Sequence, residues 1–164
     1  MSFQKQVNVN QALGNVGQIS KAHHSFLNVI PAIAADDFVK VGSFVQSTAA
    51  ATNENEVVGA SGKQITGSIL GVVVRDSLKV AGDSTPTLEV KKGENCAILT
   101  EGSIFIEVNA IAKKGQYVFL KTADGSLGFY NASTQNDYTY TGFRVSKGND
   151  TATAGIIEIT TARA

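Results

Sequence analysis

Apolar and polar residues alternate most clearly in residues 95–108, which read Asn-Cys-Ala-Ile-Leu-Thr-Glu-Gly-Ser-Ile-Phe-Ile-Glu-Val. In an extended chain Ile104, Ile106 and Val108 point to one side, and the residues between them point to the other. A period of two residues is typical of a β-strand. The Glu-Gly pair in the middle divides the segment into two strand-like runs, as a tight turn does. The pattern therefore predicts a β-hairpin.

The remainder of the chain shows similar short runs, separated by glycine-containing turns every 8–12 residues or so. One apolar run, residues 69–74, reads Ile-Leu-Gly-Val-Val-Val, and Gly71 within it indicates a bulge or a close backbone contact. Asp124-Gly125 predicts a second hairpin turn. No segment has the period of an amphipathic helix. About ten to twelve short strands predict an all-β protein, a compact barrel or a sandwich.

Residues 1–30 differ from the remainder because they contain no acidic residue and many amides. Val7 and Val9 alternate with amides, so residues 4–10 predict a short strand. We interpret residues 1–30 as an extended N-terminal arm that pairs with another surface, and residues 31–164 as a β-barrel domain. A terminus that has no partner is the alternative reading.

Charge and hydropathy exclude two classes of partner. The 164 residues carry no net charge, and lysines occur at most in pairs, so the chain lacks the clustered basic residues of a nucleic-acid binder. No apolar run approaches the roughly 20 residues of a membrane helix. Charged residues make up only 17 % of the chain. A polar but weakly charged surface suits a β protein that is packed into an assembly.

The residues that could carry chemistry are few and scattered. Cys96 is the only cysteine, so an internal disulfide is excluded and we expect a buried structural thiol in a protein made in a reducing cytoplasm. The adjacent His23 and His24 lack the further ligands of a zinc site or the partner of a general base. Acidic residues lie mostly in predicted turns. We therefore expect no catalytic residue, no cofactor and no metal.

Aromatic residues are concentrated in the C-terminal half of the chain. They could stack on bases or sugars, but no basic groove accompanies them in the sequence, so a core or a subunit interface is the preferred interpretation. These residues are Tyr117, Phe119, Phe129, Tyr130, Tyr138, Tyr140 and Phe143.

Several stretches, taken in order, resemble the structural cement, or head decoration, proteins of tailed bacteriophages. The resemblance covers nearly the full chain, although His23-His24 and the loop at residues 131–137 match no part of the family pattern. The matching stretches are residues 3–5, 12–17, 67–73, 95–108, 112–118, 142–145 and 155–159.

The resemblance implies a non-enzymatic virion protein with a compact β-barrel or β-tulip-like fold and an N-terminal arm. Its partner would be the major capsid protein, on the outer surface of the expanded head, where it would bridge neighbouring subunits and stabilise the shell. The resemblance also implies self-association, as a homotrimer or a dimer, and synthesis in the cytoplasm of the host bacterium.

The arm has the composition of a segment that adds a strand to an exposed sheet edge, because backbone hydrogen bonds supply affinity and alternate side chains fill pockets. The candidate capsid-contact residues are Phe3, Gln4, Gln6, Val7, Val9 and Gln11.

Other functions remain open at this point. The first is another virion β module, in a tail or a baseplate. The second is a module that binds glycans or a cell surface through the aromatic C-terminal half. An enzyme is the least favoured class, because no nucleophile, base or metal site is apparent.

Overall fold

The computed structural model describes residues 14–20, 27–48, 54–75, 88–149 and 154–161. Within these ranges the chain forms twelve β-strands and no helix, which confirms the all-β prediction. The strands are β1 Asn28–Ala34, β2 Val39–Lys40, β3 Phe44–Ser47, β4 Glu56–Gly59, β5 Ile69–Val73, β6 Glu89–Val90, β7 Asn95–Glu101, β8 Ser103–Val108, β9 Tyr117–Lys121, β10 Leu127–Tyr130, β11 Tyr138–Lys147 and β12 Gly155–Thr161.

Five strands close a small barrel in the order β1-β4-β3-β5-β7. β1 pairs in parallel with β4 and antiparallel with β7, and the other barrel pairs are antiparallel. A narrow barrel has room only for small or β-branched side chains in its interior. The barrel strands contribute Ala32, Ala34, Val45, Val57, Val73 and Ile98 to one buried cluster, which also contains Val39 and Val90 of the separate two-stranded sheet formed by β2 and β6.

A second sheet, in the order β10-β9-β11-β12-β8, packs against the outside of the barrel. Successive side chains of a strand point to opposite faces, so Val45 fills the barrel while Phe44 packs against the second sheet. The shared core contains Phe44, Val72 and Leu99 from the barrel together with Ile104, Ile106, Val108, Val118, Leu120, Phe143, Val145, Ile157 and Ile159 from the second sheet.

The hairpin predicted for residues 95–108 is wrong, although both strands exist. β7 pairs with β1 and β5 in the barrel, whereas β8 pairs with β12 in the second sheet. A two-residue hairpin turn requires unusual backbone angles that Glu disfavours, and Glu101 remains in the strand. Gly102 bends the chain and exchanges hydrogen bonds with Thr161 of β12. Residues 95–108 are therefore one ribbon that passes from the barrel into the second sheet.

Two other local predictions are confirmed. β9 and β10 form an antiparallel hairpin around Asp124-Gly125, with Leu120 opposite Leu127. Gly71 makes the close backbone contact that its place in an apolar strand indicated, because a Cβ atom there would lie 2.1 Å from the carbonyl oxygen of Leu99. The strand that pairs with Gly71 also shifts register at this point.

Replacing Gly71 with alanine is expected to lower the free energy of unfolding by about 1–3 kcal/mol, the usual cost of overpacking a core. The atom in the way is backbone, so it cannot rotate aside. Gly155→Ala is the matched control in a second strand, because its Cβ would meet nothing closer than 3.8 Å. Chemical denaturation measures both variants, and equal stabilities would contradict the close contact at Gly71.

Candidate functional site

The second sheet has one face toward the barrel and an opposite face, here called the outer face. The alternation along each strand assigns residues to it: Val118 and Leu120 join the shared core, so Tyr117 and Phe119 between them lie on the outer face. Phe119 is nevertheless only 1 % exposed. The outer face is therefore not an ordinary polar surface.

Five aromatic rings pack together on the outer face across β9, β10 and β11. Their centroids lie 5.1–6.5 Å apart, mostly with one ring edge toward another ring face. Gly128 of β10 makes room for two of them, because a Cβ there would lie 2.7 Å from the Tyr130 ring and 2.9 Å from the Tyr138 ring. Tyr140 remains 36 % exposed. This aromatic cluster consists of Tyr117, Phe119, Tyr130, Tyr138 and Tyr140.

Two charged residues on the outer face, Arg144 and Glu158, each have one buried polar atom that is not paired within the described residues. The Arg144 guanidinium donates to the Tyr117 hydroxyl and lies 4.0 Å from the centroid of that ring. Its Nε, however, has no hydrogen-bond partner within the described part of the chain, and neither does Oε1 of Glu158. Glu158 is 6 % exposed. Leaving such groups unpaired costs free energy, so a partner for them is expected.

A short segment, residues 14–20, covers the β8 edge of the second sheet and is called the arm base here. Gly17 N donates to Phe105 O at 2.8 Å, and Ser20 N donates to Ser103 O at 2.8 Å. The arm base thus adds main-chain pairing to a sheet edge that would otherwise be open. The sequence did not predict this contact.

A turn in the arm base redirects the chain from the edge to the outer face. Gln18 N donates to Asn15 O at 2.9 Å and closes the turn. Gly14 then lies against the Phe105 ring, since a Cβ on Gly14 would be 2.4 Å from Phe105 Cδ2. Phe105 lies opposite Glu158 on the neighbouring strand. Gly14 therefore lies above the outer face.

The structure tests only some of the residues that the sequence singled out. All six candidate contact residues, Phe3, Gln4, Gln6, Val7, Val9 and Gln11, lie outside the described residues, as do His23 and His24. Among the described residues there is no group of three or more metal-ligating side chains and no helix that could span a membrane.

Cys96 differs from its prediction, because it is half-buried rather than fully buried. It lies near the start of β7, before the fully buried Ile98 and Leu99, and packs against the barrel cluster. Sequence reasoning also missed Arg144 and Glu158. The available signal was a charged residue between apolar neighbours within a strand, as in Ile-Glu-Ile at 157–159.

The chain matches the model of a family described as "Structural cement protein (E217 gp24/Pam3 gp6)" over residues 3–162. A chain in a structure titled "The capsid of Myoviridae Phage XM1" is similar in fold, with a TM-score of 0.61, 15 % identity and coverage of 98 % of this chain and 97 % of that chain. A chain titled as the head fiber gp8.5 N base of bacteriophage phi29 has a TM-score of 0.44, 10 % identity and coverage of 85 % and 97 %. No curated protein matches the sequence.

Because of the aromatic cluster, the free energy of unfolding is expected to change with pH in the alkaline range. Burial raises the pKa of Tyr140 above its ordinary value of 10.0, and a hydrogen bond with Tyr138 raises the pKa of Tyr130. Because the pKa of Tyr140 is higher in the folded state, its contribution to the free energy of unfolding is fully present below pH 10. That contribution is lost as the pH rises through the pKa of the folded state.

Tyr140→Phe removes one of these titrations. Its free energy of unfolding is therefore expected to fall less steeply than that of the unmodified chain above about pH 10. Denaturation with urea at a series of pH values measures the difference. Parallel curves for the two proteins would contradict the assignment of Tyr140.

Proposed function

The chain belongs to the phage structural cement protein family, and we propose that it binds the outer surface of the expanded shell made by the major capsid protein. There it bridges neighbouring capsid subunits and holds the head together. The observation that carries this proposal is the family match, which spans residues 3–162 and therefore includes the arm as well as the β domain.

The proposed division is an arm, residues 1–30, and a β-barrel domain, residues 31–164. β1 crosses this boundary, and the arm base is held on the second sheet by its own hydrogen bonds. The arm segment left for a partner is therefore residues 1–13. Fully extended, thirteen residues reach at most about 45 Å, enough to cross from one subunit to the next.

The arm makes the capsid contact in this proposal. Its backbone pairs with an exposed strand edge of the capsid protein while Phe3, Val7 and Val9 enter pockets, and Gln4, Gln6 and Gln11 supply uncharged hydrogen bonds. Part of the described body is closed to such pairing, although β10 is an edge strand. The barrel is closed, and the β8 edge of the second sheet is covered by the arm base.

Stabilisation of the head follows from selective binding to the expanded shell. A protein that binds the expanded shell but not its disrupted subunits shifts the equilibrium toward the shell by mass action. A homotrimer presents several arms at once, which raises the overall affinity by roughly 10²–10⁴ over a single arm. The protein acts by binding alone, without catalysis, cofactor or metal, and it is made in the cytoplasm of the host bacterium before it joins the virion.

Co-sedimentation with capsids tests the proposal. Saturable binding to expanded shells that lack this protein is expected, with much weaker binding to unexpanded procapsids. The stoichiometry distinguishes trimers at three-fold positions from dimers at two-fold positions. Equal binding to both shells would contradict selectivity for the expanded lattice, and binding to tails alone would assign the chain to another part of the virion.

Two neighbouring substitutions in the full chain test the arm. Val9→Asp is expected to weaken binding to expanded shells about tenfold or more, because burial of a valine side chain stabilises by about 1.5–3 kcal/mol. Asn8→Asp adds the same charge on the opposite side of an extended strand and serves as the control. Co-sedimentation at several concentrations gives the affinities, and equal losses in the two variants would contradict pocket binding by Val9.

A further inference from the structure

One cavity of about 400 Å³, called the edge cavity here, is lined by residues from both terminal strands of the second sheet. Glu107 and Val108 at the end of β8 line one part of it, and Leu127 at the start of β10 lines another. Two buried side chains of the shared core, Phe44 and Leu120, also line it. The edge cavity therefore reaches the core, and its volume is in the usual range of ligand sites, about 300–1,000 Å³.

The start of β10 has backbone groups that are positioned to pair with a further strand. Among the described strands, β10 pairs only with β9. Lys121 N donates to Ser126 O at 2.8 Å, and bonded and non-bonded residue pairs alternate along an antiparallel ladder. The N–H and C=O groups of Leu127 and Phe129 therefore point away from β9. An uncovered edge of this kind is a template for another strand.

The arm base does not close the part of β8 that lines the edge cavity. Its backbone hydrogen bonds to β8 reach Ser103 and Phe105. Glu107 is the next residue of β8 whose backbone faces the same way, and no described residue of the arm base bonds to it. The edge cavity is therefore accessible from the β8 side as well.

The charge at the edge cavity favours a basic partner. Glu107 is the only charged residue among the described residues that line it, and its side chain is exposed. The salt bridges formed within the described ranges do not involve Glu107. A carboxylate at the rim of an apolar cavity suits an ammonium or guanidinium group whose aliphatic stem packs on the apolar surface.

We propose that the edge cavity binds a short extended segment of the capsid protein that carries a lysine or an arginine between two apolar residues. The inference rests on the proposed function for the source of this segment, and it adds a second contact to that of the arm. The segment pairs through its backbone with Leu127 and Phe129. Because alternate side chains of a strand point to opposite faces, its apolar residues turn toward Phe44 and Leu120 while its basic residue meets Glu107.

Titration of the isotope-labelled full chain with the blocked tripeptide acetyl-Val-Lys-Val-amide tests the edge cavity without a capsid. Saturable chemical-shift changes at millimolar peptide are expected for the amides of Leu127 and Phe129, whose protons move downfield when they donate hydrogen bonds. The absence of saturable changes at these two amides would overturn the strand pairing.

The matched peptide acetyl-Val-Glu-Val-amide tests the charge preference. It is expected to bind at least about twofold more weakly, because it loses an exposed ion pair and places a second carboxylate beside Glu107. Equal affinities of the two peptides would overturn the preference for a basic residue.

A matched pair of variants tests the role of Glu107. Glu107→Gln is expected to bind the lysine peptide about two- to fivefold more weakly, the usual effect of an exposed ion pair. Glu101→Gln, which is exposed at the end of β7 and does not line the edge cavity, is expected to bind it with unchanged affinity. Equal affinities of the two variants would overturn the role of Glu107.

The source of the segment is tested with expanded shells that lack this protein. Co-sedimentation is expected to show weaker binding of Glu107→Gln than of Glu101→Gln, and equal binding would overturn the assignment to the capsid protein. Shifts of the Leu127 and Phe129 amides when the chain is concentrated without peptide would assign the edge cavity to a second copy and would also overturn it. Because the peptide titration needs no capsid, failure of the edge cavity and failure of the proposed function are distinguishable.

Discussion

The continuity of the backbone through Gly102 is the constraint on which the arrangement of the two sheets depends. β7 forms part of the barrel wall and β8 belongs to the second sheet, yet no loop separates them. The two sheets must therefore meet at this bend and pack face to face. Leu99 just before the bend and Ile104 just after it are both fully buried in the shared core.

The bend at Gly102 also determines which sheet edge the arm base covers. Because β7 is used by the barrel, β8 lies at an edge of the second sheet, with β12 as its only strand partner among the described residues. An open edge is a site for unwanted pairing, and the arm base closes it with the chain's own backbone. The turn in the arm base then directs the chain to the outer face, where the aromatic cluster and two unpaired polar atoms lie.

Alternation of residues predicted the strands well, because side-chain direction depends only on the local backbone. It did not predict their partners. The Glu-Gly pair looked like a hairpin turn, but whether Glu101 turns or continues depends on β1 and β12, which lie far away in the sequence. The outer face was equally impossible to predict, since Arg144, Glu158 and the aromatic cluster share one face of the sheet only through the order of the strands. The six arm residues remain predictions, because the described chain begins at Gly14.

If this protein stabilises an expanded phage shell as proposed, its effect is measured by the temperature at which such shells break open. Shells that lack the protein are heated with increasing amounts of it, and light scattering or release of packaged DNA reports rupture. We expect the rupture temperature to rise and then level off at a fixed ratio of protein to capsid subunits, as mass action requires. An unchanged rupture temperature at saturating occupancy would show that the protein does not stabilise the shell.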